Sequence, residues 1–280
     1  MSATPARLSD PATVAVLHRL YELMDDACRR ASDLDLPGAA VLADVTARSQ
    51  GLSLRKLRED YGFCAEAAEG TAPFVRPLAE RELAALGRSA EDRRALALCA
   101  TAKGAERSAL IDRALGARMV ETFPGLTEES FDQLVELGYG YARAVGHPAA
   151  AAGLFPAPVL RQLVAFWHRV VLIAARFGMT SLQVVVLGRV CVSRPGLSAG
   201  TRAEDLGLSE RFLDVQMEGL RDRGLVLEGD VLGCTEAGFQ RITDFTQRLA
   251  AAQAEKWEAL SVPERTALGK LLQYVLYLFS

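Results

Sequence analysis

Apolar residues recur at helical spacing through most of this chain. In VLHRLYELMDDACRR (16–30) and VLRQLVAFWHRVVLI (159–173) they return every three or four positions, which predicts an amphipathic helix in each half. In SVPERTALGKLLQYVLYLF (261–279) the residues at 268, 271, 272, 275, 276 and 279 form one apolar stripe, with Ser261 as cap and Pro263 in the first turn. Such a stripe has to meet another surface. TEAGFQRITDFTQRLAAAQAEKWEAL (235–260) predicts a long helix with a mostly polar face. GLSAGTRAEDLGL (196–208) reads as a short helix ending in a glycine turn, after which Ser209 caps a further helix that Gly224 closes. VLEGDVLGCT (226–235) places β-branched residues on both sides of a Gly-Asp pair and predicts a short two-stranded hairpin.

The pattern occurs twice. VLADVTARSQGLS (41–53) lies on VVLGRVCVSRPGLS (185–198) at an offset of 145, bringing Gly51 onto Gly196. KLREDYGF (56–63) follows on RAEDLGL (202–208) with Gly62 on Gly207, and RPLAERELAAL (76–86) answers EGLRDRGLVLE (218–228) at 142. ATAKG (100–104) answers CTEAG (234–238) at 134, and LTEESFDQLVEL (126–137) matches LSVPERTALGKL (260–271) at the same offset. Blocks in one order, with length changes mostly between them, point to a duplication. The halves are residues 1–145 and 159–280, and the Pro- and Gly-rich GHPAAAAGLFPAP (146–158) is the linker.

Helix, helix-turn-helix, hairpin, long helix and last helix, in that order, resemble the MarR family of winged-helix regulators. GLSERFLDVQMEGLRDRGLV (207–226) is similar to the family's recognition helix and the start of its wing. EDRRALALCATAKG (91–104) resembles the wing motif, with Asp92, Arg93, Arg94, Thr101 and Gly104 at the motif positions, and LSVPERTALGKLL resembles the last helix. The resemblance implies a mainly α fold: two winged helix-turn-helix units, small β-wings, and interlocked helices of the kind that dimerise separate chains. Here both halves share one polypeptide, a self-contained pseudo-dimer. The implied function is transcription regulation by binding double-stranded DNA, asymmetrically and tuned by a small aromatic ligand.

Charge complicates that expectation. Net charge is −3, so attraction to phosphate has to come from a local basic patch. The second copy keeps an uninterrupted recognition helix, yet Ser209 to Arg223 sums to −1, Asp214 stands where relatives carry Thr or Ser, and its wing (228–238) sums to −3. Arg211 and Gln216 are its candidate base or phosphate contacts. Phe212, at an outward helix position, is expected to turn inward by a small register change or else to meet a partner. The first copy is the reverse: its wing (87–104) sums to +2 with Arg88, Arg93 and Arg94, and Arg55, Lys56 and Arg58 cluster on its first helix-turn-helix element. The arginines either contact DNA or pair with Glu91 and Asp92, and the helix cluster is either a contact or a solvated face. Its recognition segment CAEAAEGTAPFVRPL (64–78) holds Gly70, Pro73 and Pro77, so that helix is expected to be broken or rebuilt.

Other chemistry is sparse. Five scattered cysteines without a CxxC predict buried single thiols, with neither a disulfide framework nor a zinc site, and a redox-sensing role for one of them as the sharper alternative. His18, His147 and His168 are dispersed, and no nucleotide-binding or hydrolase motif occurs, so no enzyme, cofactor or metal is expected. By the family analogy a ligand crevice would be walled by Tyr21, Met24, Phe166 and Trp167, for which core packing is the plainer fate. The first residues do not read as a signal peptide and no apolar run reaches the ~18 residues of a membrane span; a cytoplasmic protein is expected. The rival reading is a degenerate winged-helix scaffold that binds a protein or small molecule without specific DNA binding.

Overall fold

A computed structural model describes residues 5–61, 72–88, 95–123, 125–147, 155–192, 209–227 and 233–279. The fold is mainly helical, with one small three-stranded antiparallel sheet. The elements are α1 (Pro5–Leu8), α2 (Pro11–Ser32), α3 (Leu36–Thr46), β1 (Leu52–Ser53), α4 (Leu54–Tyr61), α5 (Ala72–Glu80), β2 (Ala84–Arg88) and β3 (Leu96–Ala100). They continue with α6 (Ala102–Thr122), α7 (Glu128–Ala144), α8 (Ala157–Arg176), α9 (Ser181–Val192), α10 (Glu210–Arg221), α11 (Glu236–Glu258) and α12 (Val262–Phe279).

The chain divides into two compact units. The larger contains Tyr21–His168 and Val262–Phe279; the smaller contains residues 5–20 and Arg169–Ser261. Each of α2 and α8 therefore contributes residues to both. In the larger unit α3 is apolar on most sides and supplies much of the core, with Leu36, Ala40, Val41, Leu42 and Val45 fully buried. The strand order is β1-β3-β2, with Leu52 opposite Leu98 and Ala84 opposite Ala100. The stripe on α12 packs against α7, where the Tyr274 hydroxyl donates to the Ser130 carbonyl at 3.2 Å. In the smaller unit α9 packs on α10 and α11, and α1 on α11.

Helix starts are capped by side chains, which satisfy backbone N–H groups that the first turn leaves without partners. Asp35, Thr101, Thr127, Ser209 and Thr235 each accept from the N–H three residues on. Thr180 and Gln183 cap α9 reciprocally, each side chain accepting from the other's backbone N–H at 3.1 Å.

One cluster of hydrogen bonds occurs in each unit. In the larger, the Leu83 N–H donates to the Leu78 carbonyl at 2.8 Å and the Thr101 N–H to the Leu83 carbonyl at 3.1 Å. The Thr101 hydroxyl donates to the Glu82 carbonyl at 2.7 Å and accepts from the Gly104 N–H at 3.0 Å. In the smaller, Leu225 donates to Leu220 at 3.0 Å, Thr235 to Leu225 at 3.2 Å, and the Thr235 hydroxyl links the Gly224 carbonyl at 2.7 Å to the Gly238 N–H at 3.0 Å. A Cβ on Gly104 would stand 1.8 Å from the Leu83 oxygen, and one on Gly238 2.0 Å from the Leu225 oxygen. Only glycine lets backbone meet backbone there. A second cluster also recurs. The Arg81 and Arg223 guanidiniums donate to the carbonyls of Asp33 and Gly178, residues with φ of 57° and 68° that turn the chain after α2 and α8. Arg107 and Arg241 donate in the same way to Ala31 and Phe177.

One expectation is overturned, and two others gain detail. Cys191 and Cys234 form a disulfide across a sequence separation of 43, with Cα atoms 5.0 Å apart, because the end of α9 lands beside the residue that precedes the cap of α11. Scattered spacing hid that approach. Cys28 remains a buried thiol whose pKa burial pushes up to about 12. Within the proline-rich segment residues 72–80 form a nine-residue helix, α5, with Pro77 inside it, and residues 64–71 lie outside the described residues. Pro73 falls in its first turn, where no N–H is needed; Gly70 lies outside the described residues. Finally, α8 is long and apolar enough by length and composition to cross a membrane, with mean hydropathy 1.3 over an 18-residue window, although 56% of that window is buried inside the protein.

Candidate nucleic-acid interface

The basic residues expected to approach DNA fall in different places. Arg55, Lys56 and Arg58 are all exposed on α4, where Leu57 and Tyr61 bury the opposite face. Two of them have acidic neighbours one turn on: Arg55 lies 3.7 Å from Glu59, and Lys56 3.0 Å from Asp60. The Arg55 side chain is still 89% exposed, so that pair is weak. Arg88 is exposed at the end of β2, paired in register with Leu96. These four residues belong to the larger unit. Arg93 and Arg94 lie outside the described residues.

Arg211 and Gln216 belong to the smaller unit, on α10, the first exposed and the second half-buried. Leu213, Met217 and Leu220 occupy the inward stripe of this helix at 3%, 2% and 0% exposure. Phe212 is a full 100° away from Leu213 on the helical wheel, and it stays 48% exposed, as does Val215 at 55%. The inward turn expected for Phe212 is absent, since three consecutive core positions fix the register. Asp214 and Glu218 are exposed on the same helix and Asp222 at its C-cap, while Arg223 is drawn back to the Gly178 carbonyl. The outer surface of α10 thus carries apolar and acidic side chains, with Arg211 as its exposed base.

The aromatic residues expected at a ligand crevice are packed. Met24, Phe166 and Trp167 are buried and Tyr21 is half-buried, with the Tyr21 and Trp167 rings 5.7 Å apart at 32°. Among the described residues no group of three or more His, Cys, Asp or Glu side chains could hold a metal ion.

The larger unit also contains a buried ionic cluster. Asp44 of α3 is fully buried, 2.7 Å from Arg48, 3.1 Å from the His147 ring and 3.8 Å from Arg161 of α8. Arg161 reaches Asp60 at 2.7 Å and lies over the Tyr61 ring at 5.9 Å, and the Tyr61 hydroxyl donates to the Ala40 carbonyl at 3.1 Å. Burial alone would raise the Asp44 pKa, but His147, Arg48 and Arg161 outweigh it and hold the carboxyl below its ordinary value. Burial works against the Arg161 charge, and Tyr61, Asp60 and Asp44 more than restore it. In the sequence His147 falls in the Pro- and Gly-rich linker, and Asp44 stands more than a hundred positions from both His147 and Arg161, so nothing local joins them. The available signal was a lone carboxylate inside the apolar run LPGAAVLADV.

No family model matches this chain, and no curated protein matches it.

Proposed function

We propose that this protein is a transcription regulator, a single-chain pseudo-dimer of two MarR-like winged helix-turn-helix units that binds double-stranded DNA asymmetrically. The observation that carries the reading is the junction at Thr101 and Thr235. The same four hydrogen bonds and the same glycine contact join a helix start to the preceding strand or bridge in both units. The β2–β3 ladder pairs Ala84 with Ala100, and among the described residues the smaller unit has the bridge Val226–Cys234 at the matching offsets of 142 and 134. Two halves built on one plan fit a gene duplication, and β2–β3 takes the role of a wing.

In this reading the larger unit provides the DNA contacts, through Arg55, Lys56, Arg58 and Arg88. A surface with exposed Phe212 and Val215 among carboxylates does not suit phosphate, so the smaller unit makes at most a minor contact through Arg211. Titration of a labelled duplex from the chain's own upstream region, followed by anisotropy between 50 and 200 mM salt, tests this. Four phosphate contacts correspond to a log–log salt slope of about −3 to −4, and R55E/R58E/R88E should flatten it by roughly 3. The apolar, acidic α10 surface favours a second reading, a scaffold that binds a protein without DNA. That reading holds if no salt-sensitive binding occurs at micromolar protein.

A further inference from the structure

Two helices, one in each unit, carry opposite charge beside exposed apolar side chains. On α10 of the smaller unit Glu210, Asp214 and Glu218 are exposed against one exposed base, Arg211. Phe212 and Val215, one turn apart, stand among them at 48% and 55% exposure. On α4 of the larger unit the balance is reversed, with Arg55, Lys56 and Arg58 exposed against Glu59. Its apolar neighbours are on the hairpin. The α4 helix continues directly from β1, which pairs with β3, and α4 itself packs on β3. Leu86, Arg88 and Leu96 share one side of the β2–β3 ladder, because Arg88 lies opposite Leu96 and Leu86 is two residues away. Leu86 is 49% exposed and Leu96 45%.

Apolar residues exposed singly need no account. An adjacent pair on each of two oppositely charged faces does, and the charge selects the partner. An acidic face repels phosphate and any surface like itself. It is matched by a basic face, where opposite charges steer the approach and the apolar groups lose water on contact. This chain holds such a face on its own larger unit. A contact of this kind joins two different patches, so it is heterologous, unlike a twofold contact in which one patch meets its own copy.

We propose that α10 of one molecule docks on the α4 and β2–β3 face of a second copy of this chain. Phe212 and Val215 meet Leu86 and Leu96, while Asp214 and Glu218 face Arg55 and Arg58. Both faces belong to the protein alone, so the inference does not rest on DNA binding and is tested without DNA. In sedimentation velocity of the full chain, the average sedimentation coefficient should rise between about 1 and 100 µM protein at about 50 mM salt. The rise should shrink as salt goes to about 300 mM. F212S/V215S, which strips α10, and R55E/R58E/R88E, which reverses the other face, should each stay monomeric alone. Mixed in equal amounts they should pair one to one, because each keeps the face that the other has lost. Wild type that stays monomeric throughout overturns the proposal and leaves α10 to a partner of another kind. Association that salt does not weaken, a variant that associates as wild type does, or a mixture that fails to pair overturns it too. Should F212S/V215S fail to fold, D214R/E218R takes its place, and the same mixed pairing decides.

Discussion

A carboxylate buried in an apolar helix stays ionised only if cations reach it, and Asp44 has Arg48 at 2.7 Å and Arg161 at 3.8 Å. Replacing it by Asn would leave Arg161, itself largely buried, with one partner fewer. Asp44→Asn should cost roughly 3–5 kcal/mol, measured as a lower midpoint in denaturant; a change under 1 kcal/mol would mean that the cluster is held from elsewhere. His18 supplies a pH dependence in a separate window. Burial lowers its pKa from 6.5 to about 4. Between those values the unfolded chain takes up a proton that the folded protein refuses, so stability falls as pH falls from 6.5 to 4, by about 3 kcal/mol in all. His18→Gln should remove that part of the decline, seen by comparing unfolding midpoints at pH 7 and pH 4.5. Asp44 acts lower: its lowered pKa keeps its contribution until pH drops below the ordinary carboxylate value of about 3.9 and through the folded-state value.

The junctions before α6 and α11 are the elements most sensitive to a single methyl group. Gly104→Ala and Gly238→Ala would each press Cβ into a backbone oxygen at 1.8 and 2.0 Å, and each should lower stability by roughly 4 kcal/mol or more. Thr101→Ala and Thr235→Ala should cost about 1 kcal/mol apiece for the lost cap. Thermal unfolding followed by circular dichroism checks all four, and a harmless Gly238→Ala would mean that the two junctions are not equivalent. These elements were legible in the sequence: Thr-x-x-Gly recurs at an offset of 134, Ser209 reads as a cap and is one, and the α12 stripe announces a partner, which is α7. What stayed hidden depends on distance along the chain. The Cys191–Cys234 bond and the Asp44–His147–Arg161 cluster join residues whose local sequence says nothing of each other. On α10 three buried residues, Leu213, Met217 and Leu220, fix the register together and leave Phe212 outside. Among the candidate DNA contacts the residue types were legible, while the acidic neighbours Glu59 and Asp60 that blunt them became clear only with the helix in place.

For the molecule as a whole, the covalent link and the interleaving of segments matter most. The Cys191–Cys234 bond closes a separation of 43 residues within the smaller unit, which corresponds to about 4 kcal/mol of stabilisation by restriction of the unfolded chain. Dithiothreitol should lower the unfolding midpoint of that unit by up to this amount, whereas C191S should start low and ignore the reagent. An unchanged wild-type midpoint would mean that the bond adds nothing. The larger unit draws on two distant parts of the chain, for α7 ends at Ala144 and the helix it packs against begins at Val262. About 120 residues separate them, and at ribosomal speeds of ~5–20 residues per second the apolar side of α7 waits roughly 6–24 s for its cover. Throughout that interval the half-made polypeptide carries a bare adhesive ridge. The nascent chain, more than the finished one, is the form that needs guarding by chaperones.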